Sequence, residues 1–266
     1  PNGEKLIMPF AYNPKGRVNF FQTGVTNQTD VSYAAGDFYL SAQNVHISGT
    51  VPGDVETRRA VTFRAEKEYN KFKAILNVRY TNTKYDVTGN NTLIYYDVTG
   101  APGNYDLSRF KNWRTDYFSS PDGYYTPYLD NNGKTPYFAK DTRREAGKTD
   151  DIFGNLELNY KLTNWLSFVY RLGANVTTQR VRTTQEPFQY SAYALTLRDH
   201  ANLNITSSVS DAVLYGRSSG FDFGNRYTQE FFANFNTKYK NLGINGTIGW
   251  SQRDIKGQTS TVGAST

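Results

Sequence analysis

Two histidines, His46 and His200, and no cysteine leave this chain with few groups for metal ligation or nucleophilic catalysis. A Ser-His-Asp triad or a histidine-rich zinc site has almost no members to draw on, and each His reads as a polar strand or loop residue. Carboxylates are plentiful, but the paired acids of a glycoside hydrolase are defined by their separation in space, and no local motif singles out a pair. Asp130-Asn131-Asn132-Gly133 begins like a calcium loop, yet the ligand spacing and terminal Glu are missing, so it reads as a turn. Asn175-Val176-Thr177 and Asn245-Gly246-Thr247 fit the glycosylation pattern but fall inside expected strands and carry no weight. The sequence points to no catalytic residue, no cofactor and no metal, and so to a protein that is not an enzyme.

Aromatic rings are the remaining chemistry. Between Tyr85 and Asp151 stand nine tyrosines together with Trp113, Phe110, Phe118 and Phe138, several beside Asn or Asp. Tyr and Trp combine a flat apolar face with a polar edge, which suits sugar rings, extended peptides and protein interfaces. The same rings could equally pack the loop against itself or form an interfacial girdle. The candidate contacts with cargo or a partner are Trp113, Tyr117, Tyr124, Tyr125, Tyr128 and Tyr137.

What positions this loop is a set of strands. In 156–162, Leu156, Leu158, Tyr160 and Leu162 alternate with Glu157, Asn159 and Lys161; after Thr163-Asn164-Trp165, Leu166, Phe168, Tyr170, Leu172, Ala174 and Val176 take one face and Ser167, Arg171, Gly173 and Asn175 the other. Period two with one apolar face is the strand signature. The same pattern gives hairpins near 28–47, 58–84, 152–178 and 228–254, about eight strands, with Gly, Asn or Asp at the reversals. The longer connections, near 48–57, 85–151 and 178–228, all fall at the end opposite the short turns. That asymmetry favours a membrane barrel over a sandwich, because outer-membrane barrels have short periplasmic turns and long outer loops. Leu76, Val78, Leu156, Leu158, Leu166, Phe168, Phe235 and Ile248 are then expected to face lipid, and Arg79, Glu157, Arg171 and Asn234 the lumen.

Composition agrees with an all-β chain: 266 residues, 15% aromatic with 21 Tyr and 17 Phe, and one Met. Mean hydropathy is −0.65. No stretch approaches the ~20 apolar residues of a spanning helix. The +6 charge is spread along strands and interleaved with acids, which argues against nucleic acid as a partner. Residues 1–25, with Pro14, Gly16 and Phe20-Phe21, read as a short helix or an irregular connection. Pro1 is no natural start, and the chain reads as an interior piece of something longer.

Asn155-Leu156-Glu157-Leu158-Asn159-Tyr160-Lys161-Leu162-Thr163-Asn164-Trp165-Leu166-Ser167 resembles a hairpin of the SusC/RagA family of TonB-dependent outer-membrane transporters. Phe20-Phe21-Gln22-Thr23-Gly24 is similar to its recurrent Phe-Phe-x-Thr-Gly, and Asn112 to Phe118, Pro121 to Tyr125 and Pro136 to Phe138 look like its aromatic-rich loop. The resemblance covers most of the chain. It implies a barrel of about 22 strands around a plug, of which this chain would be part of the wall; the plug and TonB-contacting segment are not recognisable in it. It further implies the outer membrane of a Gram-negative bacterium of the Bacteroidota. The implied partners are a SusD-like surface lipoprotein, the TonB complex through parts outside this chain, and outer-membrane lipid, with an oligosaccharide or peptide as cargo. The alternatives are a self-contained eight-stranded barrel with a structural or adhesive role, and a secreted β-sandwich that binds glycans.

Overall fold

The computed structural model describes residues 11–89, 91–117, 119–120, 135–187, 208–215, 217–219 and 222–265. Eleven strands make one antiparallel sheet. Three hairpins come first: β1 (Val25–Ala35) with β2 (Phe38–Ser48), β3 (Val55–Tyr69) with β4 (Phe72–Thr88), and β5 (Arg143–Lys161) with β6 (Leu166–Gln185). Then follow β7 (Ser208–Tyr215), β8 (Arg217–Ser219), β9 (Asp222–Tyr239), β10 (Leu242–Lys256) and β11 (Gln258–Ser265).

Eleven strands reduce to eight paths across the wall. β6 pairs with β9 over 166–175 and with β7 over 178–185. β10 pairs with β9, and β11 continues it alongside β7. β7 and β9 are therefore one path, interrupted where β8 folds against the start of β9. Gly224 makes that detour possible: its φ is +150°, and a Cβ there would lie 2.7–2.9 Å from Ile255 and Lys256. All four expected hairpins form.

The strands run further than the alternation suggests. β4 ends at Thr88 and β5 begins at Arg143, so the connection expected near 85–151 is shorter by several residues at each end, and Tyr85 is a strand residue. The connection expected near 178–228 gives way to the end of β6, all of β7 and β8, and the start of β9. At its 19 residues, β5 is about 60 Å long, far more than an apolar bilayer band requires.

Register explains where the apolar band lies. Directly opposed residues share a face, so Val31, Ala42, Val61, Tyr80, Ile152 and Val176 form one row across the sheet. Ala35, Phe38, Ala65, Leu76, Leu156 and Leu172 form a parallel row nearer the turns. Tyr69, Phe72, Tyr160, Phe168, Ala233 and Ile248 form another. Beyond the first of these the same face turns polar, with Thr29, Asn44, Arg59, Asn82, Asp150 and Thr178. The band thus spans 72–80 on β4 and 152–160 on β5, about nine residues, the length of a tilted membrane-crossing strand. Val31, Phe38, Phe72, Tyr80, Ile152 and Ile248 are exposed along it, and Leu76, Leu156 and Leu158 are half-buried.

The opposite face carries an ion-pair ladder. Lys73 Nζ lies 2.6 Å from Glu66, Arg64 3.3 Å from the same carboxylate, and Arg171 2.8 Å from Glu157 and 3.8 Å from Glu230. Asn159 donates to Glu157 at 2.8 Å.

Reversals at the short end are tight. Asn70, Lys240 and Gly36 adopt φ of 53°, 52° and 53°, the left-handed conformation that lets two residues reverse a strand. Among the described residues β1 pairs only with β2, and it does not meet β11, so these eight paths form an open wall. Among the described residues no second sheet packs on it, as a β-sandwich would require.

Candidate functional site

The close-packed core of the molecule lies beyond the long end of the wall. Three segments build this cap: 12–24, 49–54 and the connection after β4. Residues 12–24 include a 3-10 turn, Val18–Phe20, whose Phe20 is fully buried. The expectation of a short helix or irregular connection there resolves as that turn, and its Phe20 packs into the core of the cap.

Two helices form within the connection expected to be a loop. α1 (Asn91–Gly100) buries Ile94 and Val98, four residues apart on one face, and exposes Tyr95 and Tyr96. α2 (Pro136–Thr142) starts at a capping Thr135, whose hydroxyl accepts from Phe138 N at 3.1 Å, with Pro136 in the first turn where no N–H is needed. Between them Asp106 caps a further 3-10 turn, Leu107–Phe110, accepting from Ser108 N at 3.0 Å. Ring packing joins the pieces: Phe20 meets Tyr137 edge-on at 4.9 Å, Trp113 meets Phe138 at 4.7 Å, and Tyr105 stacks on Phe110 at 5.5 Å. Burial, and then the charge of Asp106, raises the Tyr137 phenol above its ordinary value and keeps it neutral.

A buried ionic latch fixes the cap to the wall. One oxygen of Asp54 accepts from Thr88 N at 2.8 Å, Thr88 Oγ1 at 2.9 Å and Arg144 Nη1 at 3.0 Å. Arg144 also grips Asp86 through Nε at 3.0 Å and Nη2 at 2.7 Å, and donates to the Gly53 carbonyl at 3.2 Å. The 49–54 loop and the ends of β4 and β5 are thereby tied at one point. Arg114 adds a peripheral link, 2.8 Å from Glu186 beyond the end of β6, while stacking over Trp113 at 4.4 Å.

The sequence-predicted contacts divide. Trp113 and Tyr137 lie in the core, 7% and 5% exposed, and the Trp113 indole donates to Asp141 at 2.8 Å; here they serve packing. Tyr117 is 65% exposed. Tyr124, Tyr125 and Tyr128 lie outside the described residues, as do His200 and the Asp130 to Gly133 turn. Within the described part of the cap, three exposed aromatics were not singled out in the sequence: Tyr12, Tyr95 and Tyr96. Tyr95 stacks on Phe21 at 5.3 Å and shares a hydrogen bond with Thr50, so the cap presents a braced aromatic surface. The signal for this pair was the Ile94/Val98 spacing, which places Tyr95 and Tyr96 on the outer side of a helix. His46 shares a 3.1 Å hydrogen bond with Thr57 across β2 and β3, as a polar strand residue would.

On the polar face, Arg58, Arg79, Thr81, Thr83, Asp151, Phe153 and Asn175 line a cleft of about 430 Å3. Its guanidinium groups and hydroxyls offer hydrogen-bond donors to that face.

No family model and no curated protein matches this chain. Solved structures do match it. Against a chain described as the RagAB peptide importer in the "closed-closed" state, identity is 14% and the TM-score 0.67, over 94% of this chain and 26% of that one. Against the same importer in the "open-open" state, identity is 13% and the TM-score 0.60, over 93% and 29%. A third, the RagAB peptide transporter, gives 11% and 0.56 over 93% and 30%. The chain therefore spans less than a third of the length of these neighbours. At these identities the likeness establishes the fold alone, an antiparallel barrel wall.

Proposed function

We propose that this chain is part of the barrel wall and outer mouth of a TonB-dependent importer in the outer membrane of a Gram-negative bacterium. One observation carries the reading: a nine-residue apolar band on one face of the wall, backed by an ion-pair ladder on the other. Lipid suits the first face and a watery lumen the second. The open edges of β1 and of the β10–β11 path are where further wall strands would pair, which favours a larger barrel over a self-contained one of eight strands.

The cap lies at the end away from the tight turns, and in this reading it forms part of the outer mouth. Tyr12, Tyr95, Tyr96 and Tyr117 offer it an aromatic contact surface for a SusD-like lipoprotein, for cargo, or for both in turn. Peptide is the favoured cargo, supported by the description of the structural neighbours as peptide importers; oligosaccharide is the other class such rings would accept. The chain contributes wall and contacts; it performs no bond chemistry in this account.

Deleting residues 112–128 from the full-length protein, with barrel insertion checked separately by heat-modifiable gel mobility, tests the role of the cap. Reduced uptake of labelled peptides or loss of lipoprotein co-purification supports it. Unchanged uptake and co-purification in a correctly inserted barrel would leave the cap as packing alone.

A further inference from the structure

Above the apolar band, register sets like charges directly opposite one another. Lys84 on β4 faces Lys148 on β5, and Lys148 faces Arg180 on β6. All three are exposed and share the face of the band. Cross-strand neighbours lie about 5 Å apart, and like charges in that relation destabilise a sheet. The surrounding acids neutralise the row only in part, with one carboxylate to three cations. Asp150 pairs with Lys148 at 2.9 Å but also accepts from Tyr80 and Asn82, and Asp86 is gripped by Arg144. Arg59 bonds to Asn44, and Arg182 lies one row further from the band beside Arg180. Among the described residues Lys84 and Arg180 have no acidic partner. Lys148, Arg180 and Arg182 also line a cleft of about 440 Å3 with Gly147, Val181 and Ala212.

Height identifies the occupant. Lys84 is four residues beyond Tyr80, the last band residue on β4, which at the usual tilt is about 10 Å along the barrel axis. Lys and Arg side chains bend toward an interface with their apolar stems along the surface. Their charges then fall at headgroup level, next to the lipid-facing band and away from the lumen.

We propose that Lys84, Lys148 and Arg180, with Arg182 at the margin, form a binding site for the phosphate of a lipid headgroup in the leaflet on the cap side of the membrane. The bound anion offsets the opposed charges of the row. This rests on the membrane-wall reading above and adds a specific lipid contact to it.

The test uses the full-length protein and a triple variant, Lys84→Gln, Lys148→Gln and Arg180→Gln, with single variants Lys84→Gln and Arg180→Gln as a check. All four proteins are inserted into phosphatidylcholine vesicles, alone or containing lipid A or dephosphorylated lipid A, and retained lipid is read by native mass spectrometry. Lipid A retention should fall about 10- to 100-fold in the triple variant and by a smaller factor in each single one. Dephosphorylated lipid should bind weakly to all four proteins. In phosphatidylcholine alone, the triple variant should be at least as heat-stable as the parent, because removing opposed charges relieves repulsion. Equal lipid A retention by inserted parent and variant overturns the proposal while leaving the wall reading intact. Inorganic phosphate that stabilises the parent as well as lipid A does, with no loss of that effect in the variant, also overturns it. Failure of the parent to insert into any vesicle defeats the wall reading itself.

Discussion

Removing the Asp54 carboxylate tests whether the latch holds the cap to the wall. Asp54 is 6% exposed, and one of its oxygens receives three hydrogen bonds, two from Thr88 and one from Arg144. Asp54→Ala strands the Thr88 N–H, which at 2% exposure has no water to turn to; an unsatisfied buried donor costs about 1–3 kcal/mol. A charged hydrogen bond is lost as well, but Arg144 keeps Asp86, so the total stays below the ~3–5 kcal/mol of orphaning a buried charge. The expected cost is about 3 kcal/mol. Asp86→Ala removes a partner whose side chain is 55% exposed, worth about 0–1 kcal/mol. Hydrogen exchange on the full-length protein in micelles reads the difference, since cap opening should accelerate in proportion. Asp54→Ala should speed exchange in 91–117 by about two decades, with the 152–160 band unchanged and Asp86→Ala near the parent. Equal effects from the two variants, or no effect from Asp54→Ala, would refute the latch.

Depth along the wall gives a second prediction: Leu156→Arg, in the middle row of the band, should cost about 2–4 kcal/mol in urea titrations of the vesicle-inserted barrel, Tyr160→Arg at the band's edge about 0–1, and Asn155→Arg on the polar face less than Leu156→Arg. Equal costs at 155 and 156 would contradict the face assignment. Lys240→Gly should raise stability in the same titration by about 1 kcal/mol, because Lys240 holds a left-handed φ that glycine adopts freely; a loss would mean the Lys240 side chain matters more than its backbone. Protease added to intact cells should cut near Tyr117 and spare Asn70, Asn164 and Asn241, and the reverse pattern would invert the orientation.

The hairpins were legible because the band imposes period two. Leu156, Leu158, Phe168 and Tyr170 must share a face, and no helix places them so. That signal fades where the strands leave the band. β11, with Gln258, Thr259, Ser260 and Thr261 in succession, has no apolar alternation, and its place beside β7 follows only from pairing. Arg143 to Asp151 are likewise polar on both faces, which is why β5 reads as starting too late. Within the cap, ring content was legible and ring direction was not. Trp113 and Tyr137 face inward because Phe20, distant in sequence, fills the space between the segments. Tyr95 and Tyr96 are left outside by the helix that buries Ile94 and Val98. The latch escaped notice because Asp54 lies in a loop while Thr88 and Arg144 close the far ends of β4 and β5, and the three meet only when the sheet forms.

Spin labels placed one at a time at residues 152–160 of β5, in the full-length protein inserted into vesicles, test the membrane wall most directly. Collision with lipid-soluble oxygen should be high at 152, 154, 156, 158 and 160 and low at the residues between, with a maximum near 156, while a water-soluble nickel relaxant shows the opposite alternation. Labels that all collide with the nickel reagent, or that show no period-two alternation, would contradict a lipid-facing band and with it the importer reading.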